Sequence, residues 1–154
     1  MFSELGAQEV MWDWEGKLVD EAVFERLLGT HGVFFQKKQL GKDLFLTFRV
    51  PNPRLESGYR LGRAFMVILS AQHFAKTLGF TNSPLFEVIL PMTETASEMI
   101  KLQQSFKRLS KASAYSFGAN EFSSHLVEVI PLFETVETIL ESRKILDNGL
   151  DPAN

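Results

Sequence analysis

"HLVEVIPLFETVETIL", His125–Leu140, changes its apolar rhythm halfway along. The first half is a run of strand-forming residues, and from Thr135 the spacing becomes helical, so the segment reads as one strand followed by one helix. A carboxylate, Glu134, stands at the junction. One explanation is purely structural: an acid in the first turn of a helix complements the macrodipole and contributes a few tenths to about 1 kcal/mol. The other is functional, because ligands of α/β proteins gather at the carboxyl ends of strands, which is where Glu134 falls.

Outward from this stretch the same unit repeats. "AQEVMWDWEG" predicts a strand to about Asp13, and "LVDEAVFERLLGTHG" predicts a helix through Val19, Val23 and Leu27, with Gly29 and Gly32 as stop signals. "DLFLTFRVPNP" predicts a strand from about Leu44 to Val50, broken by Pro51 and Pro53 and followed by a helix from about Tyr59 to Leu78 that ends at Gly79. "LFEVILPM" predicts a third strand, and "TETASEMIKLQQSFKRL" a third helix opened by a capping box of Thr95 and Glu98. The tail "DNGLDPAN" is expected to fray. Four βα units imply an α/β fold with a parallel sheet and right-handed crossovers, in one domain over residues 1–154. The pattern fits both an open doubly wound sheet and half of an eight-stranded barrel.

Composition narrows the function. The 154 residues are 45% apolar and 12% aromatic, enough for a substantial core. Nineteen acidic against sixteen basic residues give a net charge of −3, which argues against a general nucleic-acid or acidic-membrane binder. No cysteine is present, which removes disulfides, thiolate nucleophiles and cysteine zinc sites and favours the cytoplasm. "MFSELGAQEV" lacks the basic and apolar regions of a signal peptide. The longest plain apolar run, Ala64 to Leu69, falls far short of the roughly 20 residues that span a bilayer. The expectation is a soluble, cytoplasmic protein.

At the predicted strand ends stand Asp13 and Glu15, Arg49 and Asn52, Met92 and Thr93, and Glu134 and Thr135. "RVPNPRLESGYRLGR" adds Arg54, Arg60 and Arg63, the last two at a helix start, where the dipole disfavours cations. Anion recognition explains cations so placed, since guanidinium groups take phosphate or carboxylate in bidentate fashion. Arg49, which ends a buried strand, is the strongest of them; Arg54 and Arg60 read as solvated loop charges. Trp12, Trp14, Phe65, Phe74 and Phe106 read as core. His31 is expected in a loop, His73 in a helix and His125 before the fourth strand, away from the site. No HExxH, GxSxG, Walker loop or GxGxxG occurs. Hard oxygen donors without histidine or cysteine suit Mg²⁺ or Mn²⁺ better than zinc.

"VMWDWEGKLVDEAV", "GKDLFLTFRVPNP", "GYRLGRAFMVIL", "LFEVILPMT" and "EVIPLFE" resemble consecutive blocks of the archaeal-type phosphoenolpyruvate carboxylases, in order from about Gly6 to Leu146. The resemblance implies a partial (β/α)8 TIM barrel and the Mg²⁺-dependent (or Mn²⁺-dependent) carboxylation of phosphoenolpyruvate by bicarbonate to oxaloacetate and phosphate. It implies Glu134 as a metal ligand on the enolate side and Arg49 as the residue facing phosphate. Asn52, Arg63 and Thr93 join the substrate-binding set, and Asp13 and Glu15 are neighbours without an assigned step. Members of that family are much longer, with a histidine segment before "FSELG" and later strands bearing a partner aspartate and further arginines. The 154 residues are therefore expected to be inactive alone, as an expression fragment, a truncated gene product or a half barrel, and to self-associate through unpaired strand edges. Two other readings are a metal-dependent, pyruvate-utilising aldolase and a non-catalytic remnant that binds a metabolite or a parent subunit.

Overall fold

The computed structural model describes residues 1–15, 18, 20–117 and 126–149. Val19, His125 and the tail from Leu150 onward, all given roles by the sequence pattern, lie outside the described residues. The described order is α1 (Phe2–Leu5), β1 (Glu9–Asp13), α2 (Val23–Lys37), β2 (Phe45–Arg49), α3 (Gly58–Thr77), β3 (Glu87–Leu90), α4 (Ala96–Phe117), β4 (Glu128–Pro131) and α5 (Val136–Gly149). The strands hydrogen-bond in chain order, β1-β2-β3-β4, so the α/β class and the four βα units stand as the periodicity indicates. The chain divides into two compact units, Met1–Glu87 and Val88–Asn154, at a point inside β3 that no linker marks.

In the first unit β1 and β2 are parallel, in register from Glu9 opposite Phe45 to Asp13 opposite Arg49. The middle of β2, Leu46, Thr47 and Phe48, is buried on both faces, as an inner parallel strand requires, whereas β1 keeps exposed positions. Because strand side chains alternate, Val10, Trp12, Leu46 and Phe48 share one face and Glu9, Met11, Asp13, Phe45, Thr47 and Arg49 the other. The first face packs toward α2: Val10, Trp12 and Leu46 line a cavity of about 200 Å³ with Leu27 and Phe34. Trp14 continues this apolar file and stacks on Phe48 with ring centroids 4.0 Å apart, both rings fully buried. Trp12, by contrast, is 39% exposed. Helix α3 buries Leu61, Ala64, Phe65, Ile68 and Leu69, the stripe that a 3.6-residue period presents to a core, and stops where Gly79 takes φ 80°.

Three expectations for this unit are corrected. Gly29 and Gly32 do not end α2, which continues to Lys37. The backbone instead leaves helical angles at His31 (φ −122°, ψ 24°), so His31 sits at a kink inside the helix and not in a loop. Burial of Phe35, 2% exposed, beyond that kink holds the continued helix against the low propensity of the glycines. Arg60 lies in the first turn of α3, at the helix start where the sequence places it, and so is not a solvated loop charge.

In the second unit, α4 opens with the reach-back half of the predicted capping box. The Glu98 carboxylate accepts from the backbone N–H groups of Glu94 (2.7 Å) and Thr95 (3.0 Å). Leu132 donates to the Leu90 carbonyl and accepts from the Thr93 N–H, each at 3.0 Å, which ties the chain after β4 to the end of β3. Helix α5 extends through Asp147 and Asn148, which were expected to fray. It buries Ile145 and leaves Val136, Ile139 and Leu140 exposed.

Candidate functional site

The parallel register sets Asp13 directly across from Arg49 at the carboxyl ends of β1 and β2. Both residues fall on the face away from α2, and their side chains meet fork to fork. Arg49 Nε donates to Asp13 Oδ1 at 2.9 Å and Nη2 donates to Oδ2 at 2.7 Å. Nη1 lies 3.1 Å from Glu15 Oε2. Glu15 is itself tied back, its backbone N–H donating to Asp13 Oδ1 at 3.0 Å. The Trp14 N–H donates to the Arg49 carbonyl at 2.9 Å, so the strand pairing runs one residue past β1. All three charged side chains are about three-quarters buried, where an ion pair is less screened than at the surface. The strand-end reading thus brings Asp13, Glu15 and Arg49 together in one cluster, two acids on one guanidinium.

Arg60 and Arg63 of the "RVPNPRLESGYRLGR" stretch each pair with a carboxylate of this unit. Arg63 donates from Nε to Glu21 Oε1 at 2.9 Å in an exposed pair, and Arg60 donates from Nη1 to Glu56 Oε2 at 2.8 Å. Hydrogen bonds to Tyr59 and Glu56 raise the Arg60 guanidinium above its ordinary pKa. These carboxylates offset the unfavourable dipole at the start of α3 without any bound anion.

Asn52 and Thr93 are buried, at 2% and 1% exposure, and both shape backbone. The Asn52 side-chain oxygen accepts from the Arg54 N–H at 2.9 Å while its carbonyl accepts from the N–H groups of Leu55 and Glu56, forming the turn after β2. The Thr93 hydroxyl donates to the Leu90 carbonyl at 2.8 Å. Met92, just before it, takes φ 50°, a left-handed conformation that residues with a Cβ seldom adopt. Backbone strain of this kind concentrates where a site needs a fixed loop.

Glu134 follows β4 by three residues and is exposed; among the described residues its carboxylate makes no hydrogen bond or ion pair. Thr135 binds Thr138 instead, hydroxyl to hydroxyl at 3.0 Å, and so caps α5. As a hard oxygen donor Glu134 suits Mg²⁺ or Mn²⁺, but one carboxylate is not a metal site, and Asp13 and Glu15 are engaged by Arg49. Among the described residues no group of three or more potential metal ligands forms. Two residues that the strand-end rule passes over are Glu9 and Thr47. The fully buried Thr47 hydroxyl donates to Glu9 Oε1 at 2.8 Å on the same face as the Asp13–Arg49 rung. The alternation of Thr47 with Arg49 in "TFR" is the one sequence signal of that polar file.

Comparison with known proteins identifies the family of the chain. Residues 1–153 match the sequence pattern of a family described as phosphoenolpyruvate carboxylase. The chain is 44% identical over 149 residues to a phosphoenolpyruvate carboxylase of Oenococcus oeni, covering 97% of this chain and 29% of the relative. It is likewise 44% identical over 150 residues to one from Leuconostoc mesenteroides (97% and 30%) and 39% identical over 155 residues to one from Pyrococcus horikoshii (94% and 33%). The chain spans about a third of the length of these relatives.

Proposed function

The chain belongs to the phosphoenolpyruvate carboxylase family, and we propose that it forms the part of such an enzyme in which Arg49 meets the phosphate of phosphoenolpyruvate and Glu134 stands on the enolate side. The observation that carries this reading is the match in order across residues 1–153, at 44% identity to the Oenococcus relative. In the proposed reaction a bicarbonate oxygen attacks phosphorus and the bond from phosphorus to the enol oxygen breaks, giving carboxyphosphate and the enolate of pyruvate. Carboxyphosphate parts into phosphate and carbon dioxide, and the enolate carbon adds to the latter to give oxaloacetate. Charge moves from phosphorus to the enol oxygen and then to carbon, so fixed donors at both ends of the path lower the barrier.

Arg49 is the donor at the phosphate end, offering a planar guanidinium suited to phosphoryl oxygens. Asn52 and Thr93 shape the turns beside the site, and Arg63 is an outer substrate-binding cation. Mg²⁺ or Mn²⁺, when bound to the whole enzyme, supplies positive charge beside the developing enolate oxygen. Glu134 is the one donor to it proposed from this chain, and the other ligands would have to lie outside the described residues. The full enzyme is proposed to be a cytoplasmic homo-oligomer on a (β/α)8 barrel, of which the four βα units are one part. No described helix is long and apolar enough to cross a membrane. The isolated chain is proposed to bind phosphoenolpyruvate without turning it over.

A chimera tests the reading. The segment of the Oenococcus oeni enzyme that aligns with residues 1–153 is replaced by this chain, and oxaloacetate formation is followed with and without bicarbonate. Bicarbonate-dependent oxaloacetate is expected. A folded chimera that makes none, beside an active parent, refutes the proposal.

A further inference from the structure

We propose that Asp13 is a positioning residue for Arg49, fixing the plane of the guanidinium so that it meets a phosphoryl group in a single orientation. This deepens the proposed function and rests on its reading of Arg49 as the phosphate-facing residue.

The geometry is that of an orienting contact. A single N–H to oxygen bond leaves a guanidinium free to swing about it, whereas two parallel bonds along the Nε–Nη2 edge, at 2.9 and 2.7 Å, define its plane. The carboxylate that does this is held in turn. Asp13 is opposite Arg49 on the last rung of the β1–β2 ladder and accepts the Glu15 N–H at 3.0 Å. The segment beyond it is anchored by the Trp14 N–H on the Arg49 carbonyl and by the stacking of Trp14 on the buried Phe48. To turn the guanidinium, both bonds to an anchored carboxylate would have to break together.

Toward an incoming anion, charge alone gives the acids no reason to be there. With Glu15 at 3.1 Å from Nη1, two carboxylates face one cation, and the cluster carries one net negative charge. As charge the acids oppose an incoming anion; as geometry they hold its receptor. The two roles predict opposite signs for one substitution. Asp13→Asn removes a negative charge next to Arg49, so if Asp13 acts only by its charge, phosphoenolpyruvate binds more tightly to the variant. If Asp13 positions Arg49, binding weakens although the site has become more positive, by on the order of 10- to 100-fold for a displaced contact.

Two measurements decide the matter, the first on the chimera with the Oenococcus oeni enzyme and the second on the 154-residue chain. Calorimetric titration with phosphoenolpyruvate compares wild type with Asp13→Asn, circular dichroism confirming that both are folded; weaker binding by the variant supports positioning, and equal or tighter binding overturns it. Nitrogen-15 NMR of the arginine Nε–H groups follows their exchange with water without any ligand. Arg49 is expected to exchange far more slowly than Arg143, whose side chain is 95% exposed, and to lose that protection in Asp13→Asn. If Arg49 exchanges as fast as Arg143 in the wild type, the proposal fails. If the wild-type chimera binds no phosphoenolpyruvate while Arg49 is protected, the phosphate-facing reading fails and the positioning of the guanidinium stands.

Discussion

Replacing Gly41 by alanine is expected to destabilise the chain severely, and the size of the loss can be worked from the loop that leads into β2. Gly41 adopts φ 78°, where a Cβ costs about 1–2 kcal/mol. An added Cβ would also stand 1.9 Å from the Ser83 carbonyl oxygen and 2.9 Å from its carbon, both backbone atoms that cannot rotate aside. The loop cannot drift away freely either, since the Gly41 N–H donates to the Leu44 carbonyl at 2.8 Å and Asn82 Nδ2 donates to the Gly41 carbonyl at 3.2 Å. Forced overpacking costs a further 1–3 kcal/mol or so, giving about 2–5 kcal/mol in all. Two other glycines separate the contributions. Gly79 also has a positive φ of 80° but open space around its Cβ position, so Gly79→Ala is expected to lose only the conformational part, about 1–2 kcal/mol. Gly62 lies inside α3 with nothing near its Cβ position, and Gly62→Ala is expected to stabilise by about 0.5–1 kcal/mol. Urea unfolding followed by circular dichroism orders the three; with a slope of about 2 kcal/mol per molar, the Gly41 variant shifts its midpoint down by about 1 M or more. Equal losses at Gly41 and Gly79 would show that the Ser83 carbonyl is not a rigid obstacle and refute the steric half of the reasoning.

Glu134→Gln, made in the active chimera, is expected to cut oxaloacetate turnover by about two orders of magnitude or more. The melting temperature should stay unchanged, because the carboxylate is exposed and has no partner among the described residues; wild-type turnover would remove Glu134 from the chemistry. The isolated chain is expected to run as a dimer or larger species in size-exclusion chromatography with light scattering, since α5 leaves Val136, Ile139 and Leu140 exposed on its surface. A compact, stable monomer would contradict that.

Strand boundaries were legible because each change of apolar period falls beside a strong breaker: Pro51 follows β2 within two residues of its end, and Gly79 closes α3. Helix α2 was misjudged for the opposite reason. Its two glycines are local signals, whereas the force that carries the helix to Lys37 is the burial of Phe35, which depends on what packs there. Helix α1, four residues long, is too short to show a period. The strand-end rule named Asp13, Glu15 and Arg49 but not their fork-to-fork contact, because that depends on the register between strands 36 residues apart. The same register hides the Thr47–Glu9 bond. Asn52 and Thr93 were legible as polar residues at strand ends, yet their partners are backbone groups of neighbouring turns, which a list of side chains does not reveal.

The charge at the junction after β4 belongs to a wider balance. Phosphoenolpyruvate is a polyanion, and its receptor must supply more positive charge than it already spends on its own carboxylates. In the first unit Arg49 is matched by Asp13 and Glu15, Arg60 by Glu56 and Arg63 by Glu21. Glu134 adds a further negative group. Bringing a phosphorylated enol to residues so balanced costs desolvation that these pairs do not return, unless further cations or a metal enter the site. On the proposed reading, residues 1–153 supply oriented donors and a carboxylate for a cation, and the neutralising charge would have to come from elsewhere in a whole enzyme. Their affinity for phosphoenolpyruvate alone should then be weak and steeply salt-dependent, and tighter by orders of magnitude in the chimera. Equal affinity in the two would mean that residues 1–153 already hold the whole anion site.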